Sequence, residues 1–170
     1  MSSAVSIIRH NGAGEQMWFA GGGAFTWKAT AAETGGAFIL MEDRMEGGKV
    51  TPFHSHPNED EALYVLEGEL LVDIEGEQHR VGQGGFFFAP RGIPHAFMVT
   101  SETALVLALQ TPGTGESFYR EAGETVVAAA DASRPADWAR LREVAARSEC
   151  IEILGPPPFK APQHVAAAPS

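Results

Sequence analysis

The sequence predicts an all-β fold, either a two-sheet sandwich or a double-sheet jelly roll. Between residues 16 and 120, about ten short apolar segments alternate with turn residues, a spacing typical of these folds. Before residue 120, no segment combines the length and the 3.6-residue spacing of an amphipathic helix. With 170 residues and 44% apolar residues, the chain is expected to form one domain with a full hydrophobic core.

The strands are predicted in chain order from these apolar segments. The glycines at 21–23 separate the first two strands, because consecutive glycines lose too much backbone entropy inside a strand. The short EG and EGE connections after residues 66 and 74 are typical of antiparallel hairpins. Besides a histidine-bearing strand near residue 54, the predicted strands are residues 16–20, 24–29, 37–44, 62–66, 69–74, 78–81, 86–89, 96–99 and 103–109.

The two ends of the chain differ from the barrel. Residues 1–15 are polar and predict a flexible N-terminal arm, residues 16–122 a β-barrel, and residues 123–159 a C-terminal extension. The extension is expected to contain a helix over about 135–148, because Trp138, Leu141, Val144 and Ala145 fall on one helical face. Asp131 or Ser133 would cap this helix, with Pro135 in its first turn. Residues 160–170 predict a disordered tail.

Charge, cysteine content and apolar runs restrict the possible partners, disulfides and cellular location of the chain. A net charge of -10 and a pI near 5.0, with no Lys/Arg cluster, argue against nucleic acid or an anionic membrane as partner. The single cysteine, Cys150, excludes an internal disulfide. The first residues do not resemble a secretory leader, and the apolar runs are too short to span a bilayer. We therefore expect a cytoplasmic protein.

Residues 48–68 carry candidate metal ligands. His54 and His56 project to the same side of an extended strand, because strand side chains alternate with a period of two. The intervening PNED predicts a turn that brings Glu61 opposite the histidines, with Glu59 and Asp60 solvated. Two imidazoles and a carboxylate suit borderline divalent metals such as iron, nickel, zinc, copper and manganese. An HxH pair alone is equally consistent with an ordinary exposed strand.

A second motif, PRGIPH, supplies another histidine. Pro90, Gly92 and Pro94 predict a sharp turn, after which His95 opens a new strand. A histidine placed at the start of a strand by such a turn strengthens the metal-site hypothesis considerably.

The two motifs together resemble those of the cupin superfamily. Gly48, His54, His56, Glu61 and Gly68 match every fixed position of the first cupin motif. In the second motif Gly84, Pro90, Gly92 and His95 match, and Val99 stands where the family has Asn. The resemblance implies a small jelly-roll barrel with one divalent transition metal, which could be Fe, Ni, Mn, Cu, Co or Zn. Its ligands would be His54, His56, Glu61 and His95.

Further stretches, including HPNEDEALYVLEGE and IEILGPPPF, are similar to single-domain cupins of the bacterial quercetinase type, the flavonol 2,4-dioxygenases. This resemblance implies a metal-dependent dioxygenase that acts on a flavonol-like or other aromatic enol with O2. Glu61 would act as catalytic base on the substrate hydroxyl. An O2-independent isomerase or lyase and a non-catalytic binding module remain alternatives. Because cupins of this sort pair as dimers, we also expect a homodimer.

Strand alternation selects candidate substrate-contacting residues for the inner wall of the barrel. Packing in the barrel core is the simpler interpretation of each. The candidates are Phe38, Leu40, Leu63, Val65, Phe97 and Val99.

Overall fold

Two antiparallel β-sheets face each other and enclose the core of the protein. The computed structural model describes residues 3–19, 22–126 and 136–160. The strands of this part are β1 Gln16–Trp18, β2 Gly23–Ala29, β3 Ile39–Glu46, β4 Phe53–Ser55, β5 Asp60–Glu67, β6 Glu69–Ile74, β7 Glu77–Gly82, β8 Phe86–Ala89, β9 His95–Val99, β10 Thr103–Thr111, β11 Glu124–Thr125 and β12 Glu152–Gly155. The helices are α1 Glu116–Ala122 and α2 Trp138–Arg147.

The strand order is that of a double-sheet jelly roll. One sheet has seven strands in the order β11-β1-β2-β3-β10-β5-β8, and the other has five in the order β12-β4-β9-β6-β7. The predicted all-β fold with a short C-terminal helix is confirmed. Among the described residues, no helix has the length and apolar character needed to cross a membrane.

Alternating burial explains why these segments form a two-layer structure. Along β10, Ala104, Val106, Ala108 and Gln110 are buried, while the residues between them are partly exposed. A strand that buries every second side chain presents one apolar face to the opposite sheet. The polar Gln110 therefore ends an otherwise apolar inner row.

One of the two predicted hairpins is wrong. β6 and β7 do pair across the tight turn at Glu75 and Gly76. β5 and β6, however, belong to different sheets, so the chain passes from one sheet to the other at Gly68. Gly68 has a φ of 81°, and a Cβ there would collide with the Thr103 carbonyl, so the position requires glycine.

The C-terminal part departs from expectation in two ways. Helix α1 was not predicted, because its seven residues bury only Phe118 and Ala122 and show no full helical stripe. Helix α2 begins at Trp138, after Asp137 accepts a hydrogen bond from the Arg140 backbone N–H at 3.0 Å. The caps proposed at Asp131 and Ser133 lie outside the described residues, as does the predicted tail beyond residue 160.

The two helices close one side of the barrel. Leu141, Val144 and Ala145 of α2 pack with Phe118 of α1 and with Ile151 in a second apolar cluster. Phe19 and Tyr119 contact both this cluster and the barrel core. Strand β12 then pairs with β4. The C-terminal extension is thus packed against the strand that carries His54.

Residues 3–15 have no regular secondary structure but contact the barrel. Arg9 bonds the Lys28 carbonyl at 2.7 Å and the Glu33 carboxylate at 2.6 Å. The Val5 backbone N–H donates to the Glu33 carbonyl at 2.9 Å.

Candidate metal centre

Four side chains from both sheets meet inside the barrel. His54 lies on β4 and His95 on β9, directly opposite each other in the register, while His56 follows β4. Glu61 comes from β5 in the other sheet. All four side chains are buried, and one ligand atom from each lies within 4.8 Å of the others. These residues are the four that the cupin resemblance implied, and they could hold a metal ion.

Backbone carbonyls fix the orientation of the three imidazoles. Nδ1 of His54 lies 2.8 Å from the Pro52 carbonyl, Nδ1 of His56 lies 2.8 Å from that of Cys150, and Nδ1 of His95 lies 2.9 Å from that of Ile93. A carbonyl only accepts, so each Nδ1 carries the proton and donates it. Each Nε2 is left with a lone pair, which is the arrangement that metal-ligating histidines adopt.

The distances around Glu61 fit a shared cation. Oε2 of Glu61 lies 2.8 Å from Nε2 of His95 and 3.7 Å from Nε2 of His56. Because these atoms carry lone pairs, a proton or a cation must lie between them. Ligand atoms about 2.1 Å from one metal ion and at right angles to each other are about 3 Å apart. The residues present therefore fit a divalent transition metal.

Burial and the mutual interactions of these side chains shift their pKa values. Burial, reinforced by His95 and His56, lowers the pKa of His54 to about 3, so this ring is neutral near pH 7. Burial alone would raise the pKa of Glu61, but His56 and His95 outweigh it and hold that pKa well below the usual value. Burial alone would lower the pKa of His56, but the interaction with Glu61 is stronger than this effect and raises the His56 pKa.

Gln110 and Tyr119 extend the site, and sequence reasoning missed both. The Gln110 amide nitrogen lies 3.2 Å from Oε1 of Glu61 and 2.9 Å from the Tyr119 hydroxyl. It is also 3.2 Å from Nε2 of His56. Burial and the nearby Glu61 raise the pKa of Tyr119 well above 10, so the phenol stays protonated. Gln110 could have been found by strand alternation, whereas Tyr119 lies on the unpredicted helix α1.

The two acidic neighbours of Glu61 do not join the cluster. Asp60 pairs with Arg91 at 2.8 Å near the surface. Glu59 is only 1% exposed, which corrects the expectation that it is solvated. It is buried because the turn before β5 packs against residues 113–115, where the Thr114 hydroxyl donates to Oε1 of Glu59. In the described part of the chain, its Oε2 has no hydrogen-bond partner.

A mainly apolar cavity of about 70 Å³ adjoins the cluster and reaches His54 and Glu61. Of the predicted wall residues, Leu63 and Phe97 line it. Val65 and Val99 are buried in the core but are not among its walls. Other apolar walls include Phe19, Phe25, Met41, Phe118, Leu141 and Ile151.

The prediction for Phe38 and Leu40 is corrected, because neither lines this cavity. The inward residues of β3 are Ile39 and Met41, so the true alternation is offset by one residue from the predicted one.

Comparison with known proteins agrees with the fold. Residues 41–111 match the family described as Cupin domain. A quercetin 2,3-dioxygenase of Bacillus subtilis is 25% identical over 121 residues, which cover 71% of this chain and 36% of that protein. The dimethylsulfoniopropionate lyase DddQ of Ruegeria pomeroyi is 34% identical over 80 residues, or 46% of this chain and 38% of the lyase. This chain thus spans little more than a third of either relative.

Among solved structures, KdgF from Halomonas sp. superposes with a TM-score of 0.58 at 23% identity. The superposition covers 64% of this chain and 94% of KdgF. At this level of identity the likeness supports the fold alone.

Proposed function

Because residues 41–111 match the Cupin domain family, we propose that the chain is a metal-dependent dioxygenase that acts on an aromatic enol of the flavonol type or smaller. The observation that carries the proposal is the buried four-residue cluster beside an apolar cavity, in which Nε2 of His95 and Nε2 of His56 lie 2.8 Å and 3.7 Å from Oε2 of Glu61. The similarity to a quercetin 2,3-dioxygenase supports the same reaction class. The reactants would be a small-molecule enol and O2.

His54, His56, Glu61 and His95 would hold one divalent transition metal: iron, nickel, manganese, copper, cobalt or zinc. When bound, such an ion would lower the pKa of the enol hydroxyl and supply open coordination positions for the reactants.

The chain's own residues would handle the proton and exclude water. Glu61 is ionised and takes the hydroxyl proton of the enol, while Gln110 donates to its Oε1 and keeps the carboxylate in place. Apolar side chains such as Leu63 and Phe97 keep bulk water from the deprotonated substrate. Both atoms of O2 then enter the product, and a flavonol would lose one ring carbon as carbon monoxide.

The size of the cavity favours a second candidate. Sites for drug-sized ligands usually measure about 300–1,000 Å³, whereas this cavity measures about 70 Å³. A flavonol would fit only if the walls of this cavity move apart. A smaller substrate would enter directly, which suits an O2-independent lyase or isomerase in the same barrel, and the similarity to DddQ supports the lyase.

Oxygen uptake separates these candidates. The purified chain is loaded with each metal in turn and offered flavonols and smaller enols in an oxygen-electrode assay. We expect O2 consumption that equals enol consumption with at least one metal. Enol turnover without O2 uptake would favour the lyase or isomerase. If no substrate turns over and the chain retains no metal after dialysis, it would be a non-catalytic binding module.

A further inference from the structure

We propose that Lys49 and Asp43 form a second substrate-binding subsite, which holds an uncharged hydroxyl group at the end of the cavity away from the metal ligands. Both residues line the same cavity as His54 and Glu61. The inference deepens the proposed function and rests on it, because it takes the four-ligand cluster as the site of the substrate's other end.

The strand register indicates that the subsite and the four-residue cluster lie at different levels along the barrel. Gln110 of β10 pairs with Glu61 on one side and with Ile39 on the other, so Ile39 marks the level of the metal ligands. Asp43 lies further along β3, about 13 Å beyond Ile39 at ~3.3 Å per residue. Between these two levels the inner faces of the three strands carry Met41, Ala108 and Leu63. The cavity thus has two polar ends and an apolar middle.

The Lys49 ammonium retains hydrogen-bonding capacity for a ligand. Its side chain is only 3% exposed, and Nζ lies 3.1 Å from Oδ2 and 3.4 Å from Oδ1 of Asp43. An ammonium carries three N–H donors. In the described part of the chain, the side-chain hydrogen bonds of Lys49 go to Asp43 alone. At least one donor is therefore available, and the Asp43 carboxylate can accept a further proton donor.

The charge of the pair selects the kind of group it binds. Lys49 and Asp43 neutralise each other, so a carboxylate would lose its hydration without meeting a net positive charge. A hydroxyl, in contrast, accepts from the ammonium and donates to the carboxylate. The ligand class is therefore a small molecule with an enol at one end, an apolar middle and a hydroxyl at the other end.

The protein contains a matched ion pair that lies outside the cavity. Lys28 of β2 lies 3.6 Å from Glu42 of β3 and is also largely buried. Neither residue is among the cavity walls. Because buried ion pairs are weak contributors to stability, replacing either pair with apolar side chains is compatible with folding.

The test uses hydroxamates, whose common head binds divalent metals, on the metal-loaded full chain. Tails of equal length end in methyl, hydroxyl or carboxylate, and the set is repeated for increasing tail lengths. Calorimetry should give a dissociation constant about tenfold lower for the hydroxyl tail than for the methyl tail at the matching length. The carboxylate tail should bind most weakly.

Variants assign the preference to the pair. In Asp43→Leu/Lys49→Met the methyl tail should become the tightest binder, whereas Lys28→Met/Glu42→Leu should keep the original order. Asp43→Asn leaves the lysine cation without its counter-charge, so the carboxylate tail should then bind most tightly. This nearly isosteric variant provides the same test if the double variant does not fold.

Two results would overturn the inference in distinguishable ways. Equal binding of all three tails at every length, or an unchanged order in Asp43→Asn, removes the subsite but leaves the metal centre standing. Failure of every hydroxamate to bind the loaded chain contradicts the metal centre itself, and the subsite with it.

Discussion

At the scale of single residues, the carbonyl contacts of the three histidines account for the ligand set. Each carbonyl accepts the Nδ1 proton and leaves Nε2 available to bind a metal ion. We predict that His54→Ala or His95→Ala strongly lowers the metal content of the purified protein, because four ligands become three. Elemental analysis measures this, with His79→Ala, an exposed histidine, as the control. Unchanged stoichiometry in the ligand variants would disprove the assignment.

Glu61 is proposed to act both as a metal ligand and as the catalytic base, and one substitution separates these two roles. Glu61→Gln should keep most of the metal, because an amide oxygen still ligates, but it should lower turnover about 10²–10⁴-fold, because it cannot accept the proton. Steady-state kinetics with metal analysis of the same sample measures both effects. Full activity in this variant would show that Glu61 is not the base.

The buried His54 predicts a pH dependence in the metal-free protein. Its pKa is lowered from 6.5 in the unfolded chain to about 3 in the folded chain. Between these two values His54 is protonated in the unfolded chain but neutral in the folded chain. The His54 contribution to stability is therefore complete above pH 6.5 and falls as the pH drops toward 3. His56, whose pKa is raised, acts in the opposite direction: its contribution is present below its unfolded pKa and is lost at higher pH.

A comparison with His54→Leu isolates the His54 contribution. Urea unfolding at about pH 7 and pH 5 should show a larger acid-induced loss in the wild type than in the variant. Identical losses in the two proteins would contradict the burial of a neutral His54.

At the scale of elements, strand β12 connects the C-terminal extension to the metal centre. It pairs Ile153 with His54, and the Cys150 carbonyl just before it accepts the Nδ1 proton of His56. A chain that ends after Arg147 should therefore bind metal about 10- to 100-fold more weakly, because His56 loses its orienting partner. A chain that ends after Lys160 should bind normally. Metal titration followed by calorimetry measures this, and full affinity in the shorter chain would refute it.

The elements also show what the sequence can and cannot predict. The strands were predictable because strands such as β10 bury every second residue, and the same two-residue alternation of apolar side chains is visible in the sequence. The seven residues of α1 are too few for a helical stripe, so Tyr119 could not be placed beside Gln110. Burial of Glu59 depends on Thr114, which is distant in sequence.

At the scale of the whole molecule, motif spacing predicted the four-residue cluster better than it predicted the cavity. The cluster depends on two local turns, and their spacing is visible in the sequence. The cavity depends on which face of β3 points inward and on how the C-terminal helices pack, and neither is visible in the motif spacing. Strand alternation therefore predicts Leu40 as a cavity wall in error and gives no sign that Lys49 lines the cavity.

We further propose that the chain forms a homodimer through the outer face of the seven-stranded sheet. Tyr64, Phe86 and Phe88 are 43%, 59% and 48% exposed on β5 and the edge strand β8. Exposed aromatics beside an unpaired edge favour association with a second copy. Light scattering should give twice the mass of 18.1 kDa. Phe86→Glu/Phe88→Glu should give the single mass, and a monomeric wild type would disprove the interface.

We propose above all that His54, His56, Glu61 and His95 together hold one metal ion. Anomalous diffraction from crystals of the metal-loaded protein, measured at the absorption edge of the metal, tests it most directly. We expect a single strong peak about 2.0–2.2 Å from the three Nε2 atoms and a Glu61 carboxylate oxygen. A peak elsewhere in the chain, or coordination through Nδ1, would contradict it.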